Sequence, residues 1–288
     1  MTKTIDLVIP HVNCRDKVWR DSFIKNCMRY NPKLVSSMNG IRYNDDFNLV
    51  YHQLQLVHKN MPWINKIYLL LSNKEQIIPS LLPPNCEIVL HKDFIPFKYL
   101  PTFNSCTIEM FLWNIPNLSE YFIYANDDML PIKPLKPSDF FYDGHIKMNY
   151  KNNVLGKKST EYNKQCYNSY KIMGGNVENG YFEYPEHTFT PMIKSHCISA
   201  FELGKEEILK NIRRFRNENQ HNQYIYPNYE KLIYGVYNSK IKFYYTHLDE
   251  QPQYLYCELI NNEIICPNVI KDKQNGAILV EYLEKLCK

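Results

Sequence analysis

A chain of 288 residues with 44% hydrophobic and 22% charged residues has the composition of one large or two modest globular domains, which argues against intrinsic disorder. The formal net charge is +4, from 34 basic and 30 acidic side chains, and the Lys and Arg are scattered, so the charge gives no support to nucleic-acid binding. The nine Cys lie far apart without a Cys-x-x-Cys pair, which argues against a disulfide framework or zinc site and favours a reducing compartment.

Strands and helices alternate through the first 140 residues. Alternating or continuous apolar runs predict strands at Ile5–Ile9, Lys66–Leu71, Glu87–His91 and Tyr121–Ala125. The predicted helices are Arg20–Tyr30, one capped by Asp45 or Asp46 that runs to about Asn60, and one capped by Asn104 or Ser105 that runs through Trp113. This alternation predicts an α/β fold with a mainly parallel sheet.

The composition changes after Phe140. Residues 141–185 are rich in Asn, Lys, Tyr and Gly, which predicts a long, partly irregular segment, and Thr190-Pro191 resembles a helix start. The remaining predicted elements are helices to about Lys210, from Pro227 to Tyr237 and at Ala277–Cys287, and a strand at Lys240–Tyr245. We therefore divide the chain into an α/β core at residues 1–140, an irregular acceptor-facing segment at 141–186, and a mostly helical part at 187–288 that completes the catalytic core.

The start of the chain gives no sign of export. Residues 1–12 lack a basic start followed by a long apolar run, and the densest apolar stretch, Ile67–Leu71, is far shorter than the roughly 20 residues of a membrane helix. We therefore expect a cytoplasmic protein. Peripheral attachment to the inner face of the membrane through Lys-rich loops stays open, and so does the oligomeric state.

Two adjacent carboxylates follow the predicted strand at Tyr121–Ala125. Asn126, Asp127 and Asp128 come just past its carboxyl end, where open α/β sheets bind ligands. Paired carboxylates at this place can hold a hard divalent cation, Mg²⁺ or Mn²⁺, which neutralises the diphosphate of a nucleotide-sugar. A solvated turn or a helix cap uses the same residue types, so the pair alone does not decide between these interpretations.

Longer stretches around this pair resemble the Stealth family of sugar-1-phosphate transferases, which includes bacterial capsule enzymes and the animal enzyme that makes the mannose-6-phosphate lysosomal tag. The similarity to the second conserved block of the family is carried by Arg42-Tyr-Asn-Asp45, Pro62-Trp63, Tyr99–Ser105, Ile108-Glu109 and Ile115–Asp128. Shorter stretches resemble the first block at residues 5–19, the third at His187–Met192 and the fourth at Arg214-Phe-Arg216. The resemblance therefore extends over nearly the whole chain.

The resemblance implies a GT-A-like nucleotide-sugar transferase core and a role for several residues. It assigns His187 as the general base and Arg216 as the cation that counters charge on the transferring phosphoryl group. It also implies cation ligands at Asp127, Asp128 and Asp249, and substrate contacts at Asp6, Asn13, Arg42, Asn104 and Asn126. His187 would precede a helix amino terminus at Pro191, where free N–H groups favour an anion.

The expected reaction is metal-dependent transfer of sugar-1-phosphate from a UDP-sugar, GlcNAc-like, to a hydroxyl of a glycan acceptor, with release of UMP and no nucleic-acid partner. Two alternatives stay open: an ordinary glycosyltransferase that releases UDP, and a non-catalytic carbohydrate-binding protein. The second is favoured by Asn13 and Leu54, which stand where the family has a carboxylate and an arginine. P-loop, dinucleotide-binding, His-Glu-x-x-His and Gly-x-Ser-x-Gly motifs do not occur in the sequence, so the corresponding enzyme classes lose their usual support.

Overall fold

A computed structural model describes residues 4–39, 47–246, 259, 261–267 and 273–288. The strands in chain order are β1 (Ile5–Pro10), β2 (Ile67–Leu71), β3 (Cys86–Leu90), β4 (Tyr121–Tyr124), β5 (Leu130–Pro131), β6 (Phe141–Tyr142), β7 (His145–Ile146), β8 (Tyr150–Val154), β9 (Tyr181–Pro185), β10 (Thr190–Ile193), β11 (Phe243–Thr246) and β12 (Ile264–Pro267). The α-helices are α1 (Lys17–Tyr30), α2 (Leu49–Asn60), α3 (His91–Phe94), α4 (Ser105–Glu109), α5 (Pro137–Phe140), α6 (Glu161–Ile172), α7 (Lys194–Asn211), α8 (Ile225–Ile233) and α9 (Lys273–Cys287). Short 3-10 turns occupy Pro32–Asn39, Lys74–Gln76, Pro79–Leu81, Phe97–Tyr99, Leu112–Asn114 and Glu178–Gly180.

The main sheet has five strands in the order β10-β4-β1-β2-β3. β1 runs parallel to β4, β2 runs parallel to β3, and the terminal strand β10 is antiparallel to its neighbour β4. Smaller sheets are formed by β11-β12-β5, by β6-β7 and by β8-β9. Helices alternate with the parallel strands, and the predicted α/β class is confirmed.

The chain folds into two compact units. Unit 1 comprises residues 1–8, 91–124 and 137–240, and unit 2 comprises residues 9–90, 125–136 and 241–288. Both are therefore discontinuous in sequence. The division into three functional segments at residues 140 and 186 stays a prediction.

Each unit has its own buried apolar cluster. In unit 1, α6 and β9 bring together Cys166, Tyr170, Phe182 and Tyr224. In unit 2, α2, β5, β12 and α9 meet around Leu49, Leu56, Leu130, Ile132, Leu259, Ile265, Leu279 and Leu283. Burial of each such aliphatic side chain contributes roughly 1.5–3 kcal/mol to folding. The clusters therefore give each unit an interior of its own.

The early predicted elements agree with the structure to within a few residues. α1 begins three residues before the predicted Arg20, because the Asp16 side chain accepts from the backbone N–H of Trp19 at 2.7 Å and caps the helix. The predicted helix from Asn104 through Trp113 is instead the short α4 followed by a 3-10 turn at Leu112–Asn114. The predicted caps Asp45 and Asp46 lie outside the described residues.

The expected helix start at Thr190-Pro191 is wrong. These residues form strand β10, which pairs with β4 so that Pro191 lies opposite Ile123, and α7 begins only at Lys194. A proline has no backbone N–H to donate to a neighbouring strand. It is therefore found mainly in the terminal strands of sheets, as here. His187 therefore does not precede a helix amino terminus.

Residues 141–185 are more regular than their composition indicates. They contain the β6-β7 pair, helix α6 and the antiparallel β8-β9 pair, in which Tyr150 lies opposite Pro185. Thr160 caps α6 by accepting from the backbone N–H of Asn163 at 3.2 Å. The polar composition reflects partly exposed strands and a solvated helix face, so an irregular segment is not what the structure contains.

The described cysteines are all free. Burial raises the pKa of the thiols of Cys106, Cys166 and Cys197 in unit 1 and of Cys266 in unit 2, so these thiols are protonated at neutral pH. Within the described ranges, no helix combines the length and the apolar character that crossing a membrane requires.

Candidate active site

His187 lies in unit 1 on the loop between β9 and β10, in contact with two tyrosines. Its Nδ1 is 3.2 Å from the hydroxyl oxygen of Tyr224, which is 3.0 Å from the hydroxyl oxygen of Tyr162. Burial, and to a smaller extent the positive charge of Arg216, lower the pKa of His187 to about 4. The imidazole is therefore neutral at pH 7 and able to accept a proton.

Arg216 lies on the loop between α7 and α8, with an exposed side chain. Its guanidinium donates a hydrogen bond to the hydroxyl of Ser105 at the start of α4. The electrostatic influence on His187 shows that the two predicted catalytic residues are brought together. A solvent-accessible guanidinium beside a neutral histidine is a combination that can receive an anionic group.

Beneath this pair, Glu109 is a buried carboxylate with a 4% exposed side chain. It accepts hydrogen bonds from the backbone N–H of Gln223 at 2.9 Å and from the hydroxyl of Tyr124 at 3.3 Å. Burial raises the pKa of Glu109, and the nearby charge of Arg216 and these hydrogen bonds oppose that rise. Glu109 and Arg216 therefore lie near enough for the charge of each to affect the pKa of the other.

Asn104 is buried, and its side chain bonds to neighbouring parts of the protein. It is 1% exposed, caps α4 by accepting from the backbone N–H of Cys106 at 3.1 Å, and donates to the backbone oxygen of Arg213 and to Oε1 of Gln220, both at 2.9 Å. These bonds tie α4 to the loop that carries Arg216. The contacts of Asn104 in the structure support that loop, and its predicted substrate contact stays a prediction.

Asp6 is also buried, at 0% exposure, in unit 1. Its Oδ2 accepts the backbone N–H of Ser119 at 2.8 Å, just before β4 begins. This contact fixes the register at which β4 lies beside β1. The structure places Asp6 in the interior and not on a surface open to a substrate.

The predicted cation ligands Asp127 and Asp128 lie in unit 2, in the turn between β4 and β5. The turn is closed by a backbone hydrogen bond of 3.1 Å from the N–H of Met129 to the oxygen of Asn126. Asp127 Oδ2 is 2.7 Å from Nδ1 of His11, and the Asp127 side chain remains 32% exposed. Asn126 is partly exposed beside them. Asn126, Asp127 and Asp128 are therefore each only partly buried.

Two further contacts hold this turn from within unit 2. The amide Nε2 of Gln53, on α2, donates to the backbone oxygens of Asn126 and of Met129, each at 2.7 Å. Asp128 interacts with the Cys266 thiol, whose pKa is raised by burial and then by the charge of Asp128. Among the described residues no group of three or more His, Cys, Asp or Glu side chains converges as a metal centre.

The other predicted site residues divide between described and undescribed parts of the chain. Asn13 lies in unit 2, two residues after His11, and its side-chain oxygen accepts the backbone N–H of Arg15 at 3.0 Å. This bond closes the turn that leads into α1. Arg42 and Asp249 lie outside the described residues.

Comparison with known proteins identifies the middle of the chain. Residues 42–149 match the family model described as Stealth protein CR2, conserved region 2. This chain carries the Stealth conserved region 2. The resemblance that the sequence motifs indicate is therefore confirmed, and it includes Asn104, Glu109 and the Asp127-Asp128 pair.

Two relatives are similar to this chain over stretches longer than this region. The capsular polysaccharide phosphotransferase LcbA of Neisseria meningitidis is 32% identical over 211 residues, which are 71% of this chain and 57% of the relative. The capsular polysaccharide phosphotransferase cps1A of Actinobacillus pleuropneumoniae is 30% identical over 232 residues, 76% of this chain and 62% of the relative. The chain thus spans about six-tenths of the length of these two relatives.

A solved structure is similar at the level of the chain trace. The galactosyltransferase LgtC, in complex with donor and acceptor sugar analogs, is 10% identical, with a TM-score of 0.45 over 98% of this chain and 95% of that chain.

The sequence alone does not predict several residues that surround the candidate site. Glu109 belongs to the Ile108-Glu109 stretch of the second block, but its burial near Arg216 is known only from the fold. Tyr224 lies outside the stretches that resemble the conserved blocks of the Stealth family. Gln53 has no feature that distinguishes it from other polar residues of a helix. His11 had a usable signal, because it interrupts the apolar end of β1 just before Asn13.

Proposed function

We propose that this Stealth chain transfers sugar-1-phosphate from a nucleotide-sugar, a UDP-sugar such as UDP-GlcNAc, to a hydroxyl of a glycan acceptor during capsule or cell-surface polysaccharide synthesis. The observation that carries the proposal is the neutral His187 beside the exposed, positively charged Arg216. The relatives LcbA and cps1A are capsular polysaccharide phosphotransferases, which supports the same reaction class.

In the proposed step, the acceptor oxygen forms a bond to the phosphorus nearest the donor sugar. The phosphoanhydride bond breaks, its electron pair leaves with UMP, and the product is a phosphodiester. The acceptor proton goes to Nε2 of His187. Nε2 of the neutral imidazole is an acceptor when Nδ1 carries the hydrogen, and the Tyr224 hydroxyl oxygen, 3.2 Å from Nδ1, is placed to accept that hydrogen. Tyr224 can therefore stabilise the tautomer that acts as a base.

Arg216 has a different task in this step. Negative charge spreads over the oxygens of the transferring phosphoryl group in the transition state, and a fixed guanidinium stabilises it without reorganisation. Ser105 and Glu109 restrict the guanidinium on its protein side. We therefore assign transition-state stabilisation to Arg216 and its orientation to Ser105 and Glu109.

A divalent cation fits the Asp127-Asp128 turn by the chemistry of its donors. Both side chains offer carboxylate oxygens, Asn126 adds an amide oxygen, and Mg²⁺ and Mn²⁺ prefer such hard ligands. We propose that Asp127 and Asp128 hold the cation, which neutralises the diphosphate of the donor. Asp249 stays a proposed third ligand.

The nucleotide that is released tests the proposal. Purified protein is incubated with a panel of UDP-sugars, Mg²⁺ and capsule-derived oligosaccharides, and nucleotides and products are separated by chromatography and analysed for phosphorus. We expect UMP and a phosphorus-containing glycan, with loss of turnover in excess chelator. UDP with a phosphate-free product would establish the glycosyltransferase instead, and an absence of turnover with donor binding intact would establish the carbohydrate-binding alternative.

A further inference from the structure

The Asp127-Asp128 turn is held at both ends by one buried amide. Gln53 is 0% exposed, and the two N–H bonds of its amide reach the carbonyl oxygens of Asn126 and Met129, the residues that flank the two aspartates. Both distances are 2.7 Å, short for bonds between neutral groups. One side chain therefore fixes where the turn begins and where it ends.

The orientation of the Gln53 amide indicates what the residue is for. Its Oε1 is buried and accepts no hydrogen bond from the described residues, which is an unfavourable state for an amide oxygen. Rotating the amide by half a turn would point that oxygen at two carbonyl oxygens and would lose both bonds. Gln53 thus keeps its two Nε2 bonds to the turn although its Oε1 atom has no donor among the described residues.

His11 restrains a carboxylate of the same turn. The histidine is 7% exposed, and its own backbone N–H donates to the oxygen of Leu70 at 3.0 Å, which fixes the end of β1. Its Nδ1 lies 2.7 Å from Oδ2 of Asp127. One oxygen of Asp127 is therefore engaged from the protein side, and the side chain keeps one defined rotamer with a second oxygen available to a ligand.

We propose that Gln53 and His11 are positioning residues that hold the Asp127-Asp128 turn ready for a divalent cation. The inference rests on the proposed function, because that function places the cation at this turn. Adjacent carboxylates repel one another, and a flexible turn would separate them when no cation is bound. Residues that orient metal ligands from behind typically change metal affinity by about 10- to 100-fold when they are replaced.

The experiment measures binding of Mn²⁺ alone by the full chain, through the relaxation enhancement of water protons. Gln53→Met removes both donors at nearly constant volume, and His11→Phe removes the donor but keeps a ring. Asn60→Leu is the matched control, because Asn60 also lies on α2 and donates to a backbone oxygen, that of Pro131, at 2.7 Å. Pro131 belongs to β5, after the turn, so the Asn60 bond does not reach the two residues that flank the aspartates. Thermal unfolding of each variant is recorded in parallel.

We expect Gln53→Met and His11→Phe to weaken Mn²⁺ binding by about 10-fold or more. Asn60→Leu should lower stability to a similar extent while Mn²⁺ affinity stays at the wild-type value. His11→Asn should recover part of the affinity, since an asparagine amide can replace the Nδ1 donor.

The outcomes separate this inference from the proposed function. Wild-type Mn²⁺ affinity in both Gln53→Met and His11→Phe would overturn the inference and leave the cation site standing. Equal weakening in Asn60→Leu would overturn it too, since the effect would then follow from stability. If Gln53→Met does not fold, His11→Phe and its partial recovery by His11→Asn decide. A wild-type chain that binds no Mn²⁺ would overturn both the cation site and the inference.

Discussion

The protonation state of His187 is open to direct measurement without any substrate. A pKa near 4 in place of the ordinary 6.5 corresponds to about 3 kcal/mol against the protonated form. At pH 5.5 a pKa of about 4 leaves roughly 97% of the imidazole neutral, whereas a pKa of 6.5 leaves roughly 9%. The resonance of the His187 ring should therefore not shift between pH 8 and pH 5.5, while that of an exposed histidine does.

Arg216→Ala tests the cause of this shift. Burial is the larger cause and the charge of Arg216 the smaller, so the variant should raise the pKa of His187 only part of the way towards 6.5. Arg213→Ala is the matched control, because its exposed guanidinium donates to the oxygens of Lys210 and Ile212 and not into the site. Ring resonances are followed by two-dimensional NMR from pH 8 to pH 4.5, with His187→Gln as the assignment variant.

The sign of the linked effect on stability follows. The folded chain binds this proton less readily than the unfolded chain, so stability is complete above pH 6.5 and is lost as the pH falls from 6.5 towards about 4. His187→Gln should flatten that part of the stability profile. A His187 that titrates near 6.5 in the wild type, or an unchanged pKa in Arg216→Ala, would refute the reasoning.

Three other substitutions have definite expected outcomes. Tyr224→Phe removes the oxygen that fixes the His187 tautomer, so kcat should fall about 10-fold or more with KM little changed in steady-state assays. Asn104→Ala removes the cap of α4 and the bonds to the loop of Arg216, and should lower the free energy of unfolding by roughly 1–3 kcal/mol in urea titrations. Asp128→Asn should leave the circular dichroism spectrum unchanged but cut turnover by about 100-fold, and wild-type turnover would remove Asp128 from the cation site.

Local sequence signals predict the parts of the fold that depend on local interactions. Apolar alternation at Ile5–Ile9 predicts β1, and the apolar runs at Lys66–Leu71 and Tyr121–Ala125 predict β2 and β4, because strands covered on both faces are rich in apolar residues. The position of Asp127 and Asp128 after β4 follows from the same signal. These predictions need no knowledge of distant contacts.

The failures involve long-range contacts. Pro191 resembles a helix start until its pairing with Ile123 at the sheet edge is known. The neutral state of His187 depends on burial and on a charge 29 positions away in sequence, and the tie between α4 and the Arg216 loop joins residues more than 100 positions apart. A single sequence offers no periodicity that encodes such contacts.

The buried cysteines make opening of each unit separately observable. A maleimide or iodoacetamide reagent attacks thiolates, and burial keeps Cys106, Cys166 and Cys266 protonated and covered. Each thiol therefore reacts only when its surroundings open, and its labelling rate reports the free energy of that opening. Cys106 and Cys166 are intrinsic reporters for unit 1, and Cys266 is one for unit 2. Mass spectrometry of labelled peptides can thus compare the two units in the unmodified protein. Cys106 follows Ser105, which contacts Arg216, so we expect ligand binding at Arg216 to slow the labelling of Cys106.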